Sequence, residues 1–299
     1  MSSWTLHEAA KVTEQVRYAG SGNERKALCN MRLVLDHFGR QVKLDDITTS
    51  TVDAYIQTLK DSGNAPATIN KKLAVLKAIY TDAMRRDGCS KRPHIPTMKV
   101  TSSRLRFMSV EEEDALINWC CTENELEVCE ALIVLIDTGM RVGELFRVIP
   151  ADVDMDQNII SVWKNKADKP RSVPMTDRVR QIVGRRIKRR NLTGSVFNTL
   201  ERGHLEYVWD CARGDLGWED DKHWVLHMLR HTCASRLVQR GVDLYVVKEI
   251  LGHKSITVTE QYAHLANPQL RDAIAKLNKV DSRPAGTRAG DAHARAGSR

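Results

Sequence analysis

At 299 residues, with 42% apolar and 28% charged residues and a formal net charge of +8, the chain is long enough for two ordinary domains and too evenly mixed for a disordered or membrane protein. No apolar run approaches the roughly 20 residues that span a bilayer, and the opening MSSWTLHEAAKVTEQVRYAG lacks the short apolar core of a secretory signal, so the expected location is the cytoplasm. The seven cysteines form no C-x-x-C pair and are odd in number, which argues for reduced thiols and against a disulfide framework or a zinc site.

The first third reads as helical. Ala27, Leu28, Met31, Val34, Leu35 and Phe38 recur at helical spacing, and Gly39 ends the run. Val52, Tyr55, Ile56 and Leu59 make a second stripe, closed by Ser62 and Gly63. Ile69, Leu73, Leu76, Ile79, Tyr80 and Met84 make a third, closed at Gly88. A small helical bundle over 1–90 is predicted. The segment GCSKRPHIPTMKVTSSRLRF then carries Lys91, Arg92, Lys99, Arg104 and Arg106 and no acid. It reads as a basic interdomain linker over 91–107 that contacts a phosphate backbone.

A second domain is predicted over 108–280. Ser109 with Glu112 three residues later is a capping-box pattern. Helices are predicted over 110–120 and 124–137, with a break at Gly139. From Asn158 the texture turns to β: Ile159, Ile160, Val162 and Trp163 give one short strand and Arg171 to Val173 another. Lys164 to Lys169 form the turn between them. Helical patterns resume after Asp177 and run to about Lys279. Within them RVRQIVGRRIKRR, Arg178 to Arg190, is basic around much of a helix and reads as a second phosphate-facing block. The small polar tail over 281–299 is predicted to be disordered. The fold class is mainly α with a small β-hairpin or sheet.

Several polar residues of the second domain sit where apolar ones are ordinary. Arg141 lies in DTGMRVGELF, and His227, Arg230 and His231 share one face of a helix opening HMLRH. Lys166 occupies the hairpin turn, His253 follows Gly252, and Tyr262 stands nine residues after His253 in LGHKSITVTEQYAHL. Each alone has a plain explanation. Arg141 can pair with Glu144 across a helix start. His227 can cap, His231 can be a satisfied core histidine, and His253 can sit at a helix C-terminus. Lys166 suits any wet turn, and Tyr262 can be a packed ring with a bonded hydroxyl. Their joint order along the chain changes those odds.

In that order TGMRVGEL, KADKPRSVPM, HMLRHTCASRL and LGHKSITVTEQYAHL resemble the boxes of the tyrosine recombinases, or phage-type integrases, across Ser109 to Leu265. The resemblance implies a catalytic set of Arg141, Lys166, His227, Arg230, His253 and the nucleophile Tyr262, with Glu144 and His231 orienting them. It implies an N-terminal helical domain that grips the core DNA site and a C-terminal catalytic domain. The implied activity is cleavage and rejoining of DNA through a covalent 3′-phosphotyrosine, without metal, cofactor or ATP, in phage or mobile-element integration and excision. The implied partners are double-stranded DNA with inverted half-sites, a homo-tetramer at synapsis, and DNA-bending or directionality accessory proteins. A type IB topoisomerase-like relaxing enzyme and a catalytically inactive DNA-binding relative are the rival readings. Few large apolar residues surround Tyr262 in sequence, so a loosely packed segment, able to reach a phosphate, is expected there. ANPQLRDAIAKLNK, over 266–279, is read as a short C-terminal helix, either purely local or, as the resemblance implies, docked on an adjacent protomer.

Overall fold

A computed structural model describes residues 3–100, 105–163, 170–188, 194–266 and Ile274. The chain divides into two compact units, Met1–Ser103 and Arg104–Arg299.

The first unit is helical. Helix α1 (Leu6–Thr13) opens on a capping box in which Thr5 Oγ1 accepts the Glu8 N–H at 3.2 Å and the Glu8 carboxylate accepts the Thr5 N–H at 2.7 Å. It continues into a π turn, Glu14–Tyr18. Helix α2 (Glu24–Phe38) ends at Gly39, and α3 (Thr49–Asp61) and α4 (Pro66–Met84) follow. Helices α1 and α2 both pack on α4, whose Leu73, Leu76, Ile79 and Tyr80 are fully buried. The Tyr80 hydroxyl donates to the Leu44 carbonyl at 2.8 Å, so the deepest ring of this core has its polar end satisfied.

The stretch read as a linker is laid along this unit for much of its length. Ile95 is buried in the core. Asn70 accepts the Met98 N–H at 2.7 Å and donates to the Met98 carbonyl at 2.9 Å. Lys77 donates to the Pro96 carbonyl and the Thr97 hydroxyl. A chain whose backbone groups are matched in this way is part of a domain surface. Basic composition alone did not reveal it. Lys91, Arg92 and Lys99 remain exposed; Arg104 lies outside the described residues.

The second unit begins with α5 (Val110–Thr122), which has the capping box expected at its start: Ser109 Oγ accepts the Glu112 N–H at 3.1 Å and Glu112 accepts the Ser109 N–H at 2.8 Å. Helix α6 (Leu126–Thr138) stops at Gly139, and the single turn α7 (Val142–Leu145) follows. An antiparallel sheet of order β1-β2-β3 comprises β1 (Val153–Asp154), β2 (Ile159–Val162) and β3 (Arg171–Pro174). Ile160 pairs with Val173, and both are buried. Strand β1, two residues long, is too short to show alternation and so could not be read from the chain. The turn Lys164 to Lys169 lies outside the described residues.

Helices α8 (Asp177–Lys188), α9 (Arg202–Asp215), α10 (His227–Gln239) and α11 (Leu244–Leu251) complete the unit. Helix α10 packs on α6, with Leu132, Leu135 and Leu229 in one continuous core. Two 3-10 turns follow, Ile256–Val258 and Glu260–Ala266. The expected helix over 266–279 and tail over 281–299 lie outside the described residues, apart from Ala266 and Ile274. Among the described residues no helix is long and apolar enough to cross a membrane.

The basic face expected of α8 is corrected by its partners. Arg178 donates to Asp137 at 2.6 Å and pairs with Glu113 at 2.7 Å. Arg186 and Arg185 both bond Glu130, at 2.6 and 3.1 Å. These arginines fasten α8 to acids on α5 and α6, which leaves little of their charge for a phosphate. Arg189 and Arg190 lie outside the described residues.

Candidate active site

Arg230 is the deepest of the site's cations, only 2% exposed. Its Nη1 donates to the Gly139 carbonyl at 2.8 Å and its Nη2 to the Leu251 carbonyl at 2.6 Å. Both acceptors end helices, α6 and α11, whose last carbonyls carry partial negative charge. Gly139 makes this approach possible: its φ is 61°, and a Cβ there would sit 2.5 Å from Leu251 Cδ2. Among the described residues no carboxylate pairs with Arg230. Burial first, then the charges of Arg141 and Arg171, lower its pKa to about 10. A buried guanidinium held by dipoles keeps an unmet demand for an anion.

Arg141 stands at the start of α7 with its side chain 42% exposed, and its Nη1 donates to Glu144 Oε1 at 2.7 Å. Glu144 also accepts the Arg141 N–H at 2.8 Å and two bonds from Arg171, at 2.7 and 3.1 Å. Burial alone would raise this carboxyl, but the bonds from Arg171 and Arg141 outweigh it and hold the pKa at about 2. Arg171 reaches further, donating from Nε to the Ile250 carbonyl at 2.9 Å. The consecutive carbonyls of Ile250 and Leu251 therefore hold two different arginines, one behind the site and one in it. Sequence reasoning gave Arg171 no role. Its only sign was its place in KADKPRSVPM.

Arg141, His227 and Arg230 line one cleft of about 550 Å³. Helix α9 forms its far wall with Arg202, Asp210 and Arg213. In the sequence α9 is only part of the helical pattern that resumes after Asp177, so this wall was missed.

Tyr262 differs from the expectation of a loosely packed segment. It is 1% exposed and lies in a buried cluster with Ala234, Val238, Val247 and Leu251. Its apolar neighbours come from α10 and α11, so the short run around Tyr262 could not show them. Its hydroxyl is 2.7 Å from His231 Nδ1. Burial pushes the phenol up to about 12, against a smaller opposing effect of Arg230. Burial, then His227 and Arg230, bring His231 down to about 4. At neutral pH the phenol therefore keeps its proton and the imidazole carries no charge, so the two meet as uncharged partners. His227 meets His231 edge to face, with ring centroids 5.0 Å apart, and is itself lowered by burial, Arg230 and Arg141.

His253 follows Gly252, which ends α11 at φ 68°. Its Nδ1 is 2.8 Å from Thr259 Oγ1. Burial, then Arg230, Arg141, His227 and His231, bring it to about 4, so it feels the same cations as the rest of the cluster. The structure thus gathers Arg141, His227, Arg230, His231, His253, Tyr262 and Glu144 in one region; Lys166 lies outside the described residues. Arg106, expected at a phosphate, is instead tied down within its own unit. It bonds Glu112 and Asp221, each at 2.9 Å, and stacks over Trp224 at 5.4 Å.

Residues 106–268 match the model of the phage integrase family, and residues 8–100 match that of the phage integrase SAM-like domain. A tyrosine recombinase of Thermosipho africanus is 27% identical over 260 residues, covering 83% of this chain and 90% of its own. The tyrosine recombinase XerA of Saccharolobus solfataricus is 27% identical over 276 residues, covering 88% and 89%. Among solved structures, the integrase of transposon Tn1549 in complex with a circular intermediate DNA superposes with TM-score 0.75 at 20% identity, covering 87% of this chain and 95% of that one. A lambda integrase dimer bound to a core site gives TM-score 0.72 at 19% identity, covering 87% and 77%.

Proposed function

The chain belongs to the phage integrase family, and on that premise we propose that it is a site-specific tyrosine recombinase whose nucleophile is Tyr262. The observation that carries the residue assignment is Arg230, a buried guanidinium with no carboxylate among the described residues, lining one cleft with Arg141 and His227. Phosphoryl transfer depends chiefly on positioning and on stabilising charge over the non-bridging oxygens. Two planar, permanently charged guanidiniums suit that task.

In the proposed reaction the Tyr262 oxygen attacks a DNA phosphorus. The bond from phosphorus to the 5′-oxygen breaks, leaving a 3′-phosphotyrosine and a free 5′-hydroxyl. His227, neutral because burial and two arginines depress it, takes the phenol proton, and Lys166 gives a proton to the leaving oxygen. His253 donates to a non-bridging oxygen. Attack by a second 5′-hydroxyl restores the diester with no outside energy source, because the phosphotyrosine bond conserves that of the broken one. Tyr262 must first leave its buried seat. That seat belongs to a small cluster separate from the main core of the unit, the kind of element that opens at less than the cost of global unfolding.

The proposed partner is double-stranded DNA with inverted half-sites, contacted by the exposed Lys91, Arg92 and Lys99, with four protomers joined at synapsis. The solved relatives named above are DNA complexes by description, which supports this. Integration or excision of a mobile element is the proposed use. Two duplexes that each carry the chain's site, mixed with the protein, test the reading. Reciprocal recombinants are expected. Relaxation of supercoils with no exchange of strands would overturn it in favour of a relaxing enzyme.

A further inference from the structure

Thr259 lies between His253 and Tyr262 in the last motif and has no role in the proposal above. It is 0% exposed. Its N–H donates to the Ile256 carbonyl at 2.6 Å and its own carbonyl accepts the Tyr262 N–H at 3.0 Å. Its hydroxyl meets His253 Nδ1 at 2.8 Å, and among the described residues this is the only partner that the hydroxyl has. The direction of that bond decides what His253 can do.

A neutral imidazole carries one N–H. Were the proton on Nδ1, it would donate to Thr259 Oγ1, and Nε2 would present a lone pair that repels a phosphate oxygen. The threonine O–H would then be left without an acceptor in a fully buried site, an arrangement native structures avoid. Were the proton on Nε2, Nδ1 would accept from the threonine hydroxyl. Both groups are then satisfied, and Nε2–H is free to donate.

We propose that Thr259 is a positioning residue: its hydroxyl donates to His253 Nδ1 and so fixes the imidazole in the tautomer whose Nε2–H donates to the scissile phosphate. The inference rests on the recombinase reading for the identity of the phosphate, but the tautomer itself does not depend on it. Through its carbonyl Thr259 also holds the first turn of the segment bearing Tyr262. One buried residue thus ties the phosphate donor to the nucleophile's segment. The neutral state of His253 that the argument uses follows from its burial and its cationic neighbours Arg230, Arg141, His227 and His231.

The test uses the full chain with nitrogen-15-labelled histidine and long-range proton–nitrogen correlation spectra, His253 being assigned by the signal lost in His253→Gln. The Nε2–H tautomer is expected in the wild type and in Thr259→Ser. Thr259→Val, which keeps the shape and removes the donor, is expected to lose that preference. It is also expected to cleave a nicked duplex on the order of 10- to 100-fold more slowly, by analogy with the loss of groups that orient metal-bound imidazoles. DNA affinity should stay unchanged, and Thr259→Ser should restore most of the rate. An Nδ1–H tautomer in the wild type overturns the inference, as does a Thr259→Val protein that cleaves at the wild-type rate. Because the tautomer is read in the free protein, absence of cleavage even by the wild type would sink the recombinase reading and leave the spectra to decide this one.

Discussion

The hydroxyl of Tyr262 and Nδ1 of His231 are 2.7 Å apart, and both belong to a region where burial has made the phenol harder to ionise and the imidazole harder to protonate. The pair is therefore a hydrogen bond between two uncharged groups. It seats the proposed nucleophile against α10 with its ring among Ala234, Val238, Val247 and Leu251. Such a tyrosine is stored rather than poised, and its use requires the Glu260–Ala266 turn to swing out.

His231 should accordingly govern how readily that turn opens. His231→Ala leaves a buried phenol hydroxyl without its partner, a loss of about 1–3 kcal/mol. Faster amide hydrogen exchange is expected across residues 260–266 in the variant, with little change across α4 in the other unit. Equal protection of the turn in both proteins would show that the bond does not hold Tyr262.

Arg171 and Glu144 carry the opposite burden, since both are nearly inaccessible, at 7% and 4% side-chain exposure. Arg171→Met leaves a buried carboxylate with only Arg141, and breaking a buried pair from one side costs about 3–5 kcal/mol. Chemical denaturation of the full chain should show that loss in its second unit. Arg171→Lys should recover only part of it, because a point ammonium cannot reproduce two bonds to Glu144 and one to the Ile250 carbonyl.

How much of this was legible in the chain depends on the span of each signal. The capping box at Ser109 and Glu112, the stops at Gly39 and Gly139, and the apolar stripes of α2, α3 and α4 are local, so they could be read directly. Helix α10 was legible for the same reason, with His227, Arg230 and His231 on one face. Tyr262 was misread as loosely packed because its 3-10 turn has no helical period and its neighbours lie on other helices. Arg106 and the arginines of α8 looked free because the acids they bind, Asp221, Asp137 and Glu130 among them, are distant in sequence or on another helix. The carbonyls of Gly139 and Leu251 left no trace at all, since a backbone acceptor has no letter in the sequence.

Stability should depend on pH through the same histidines. Burial, with the cationic groups around them, brings His231 and His253 down to about 4 in the folded chain, against about 6.5 for a free imidazole. Between those values the unfolded chain binds more protons, so stability rises with pH across the window and is lost as pH falls from 6.5 toward about 4. The melting temperature of the wild type should fall between pH 6.5 and 5, above the range of most carboxylates. The double variant His231→Asn, His253→Asn should show a flatter slope. An identical slope would place the titrating groups elsewhere.

Arg230 should matter for chemistry far more than for grip. Arg230→Ala removes a preorganised cation from the cleft, an effect of roughly 10²- to 10³-fold on cleavage. Binding to a duplex rests on many phosphate contacts, so affinity should change little. Gel-shift titration beside single-turnover cleavage separates the two. A parallel loss of both would make Arg230 a binding residue.

The most direct measurement is covalent trapping on a nicked duplex that carries the chain's site, in which the released strand fragment diffuses away and cleavage cannot reverse. The expected result is a protein–DNA band that survives sodium dodecyl sulfate in the wild type and is absent in Tyr262→Phe, which keeps the ring and its packing. A band that persists in Tyr262→Phe would contradict the central claim that Tyr262 is the nucleophile.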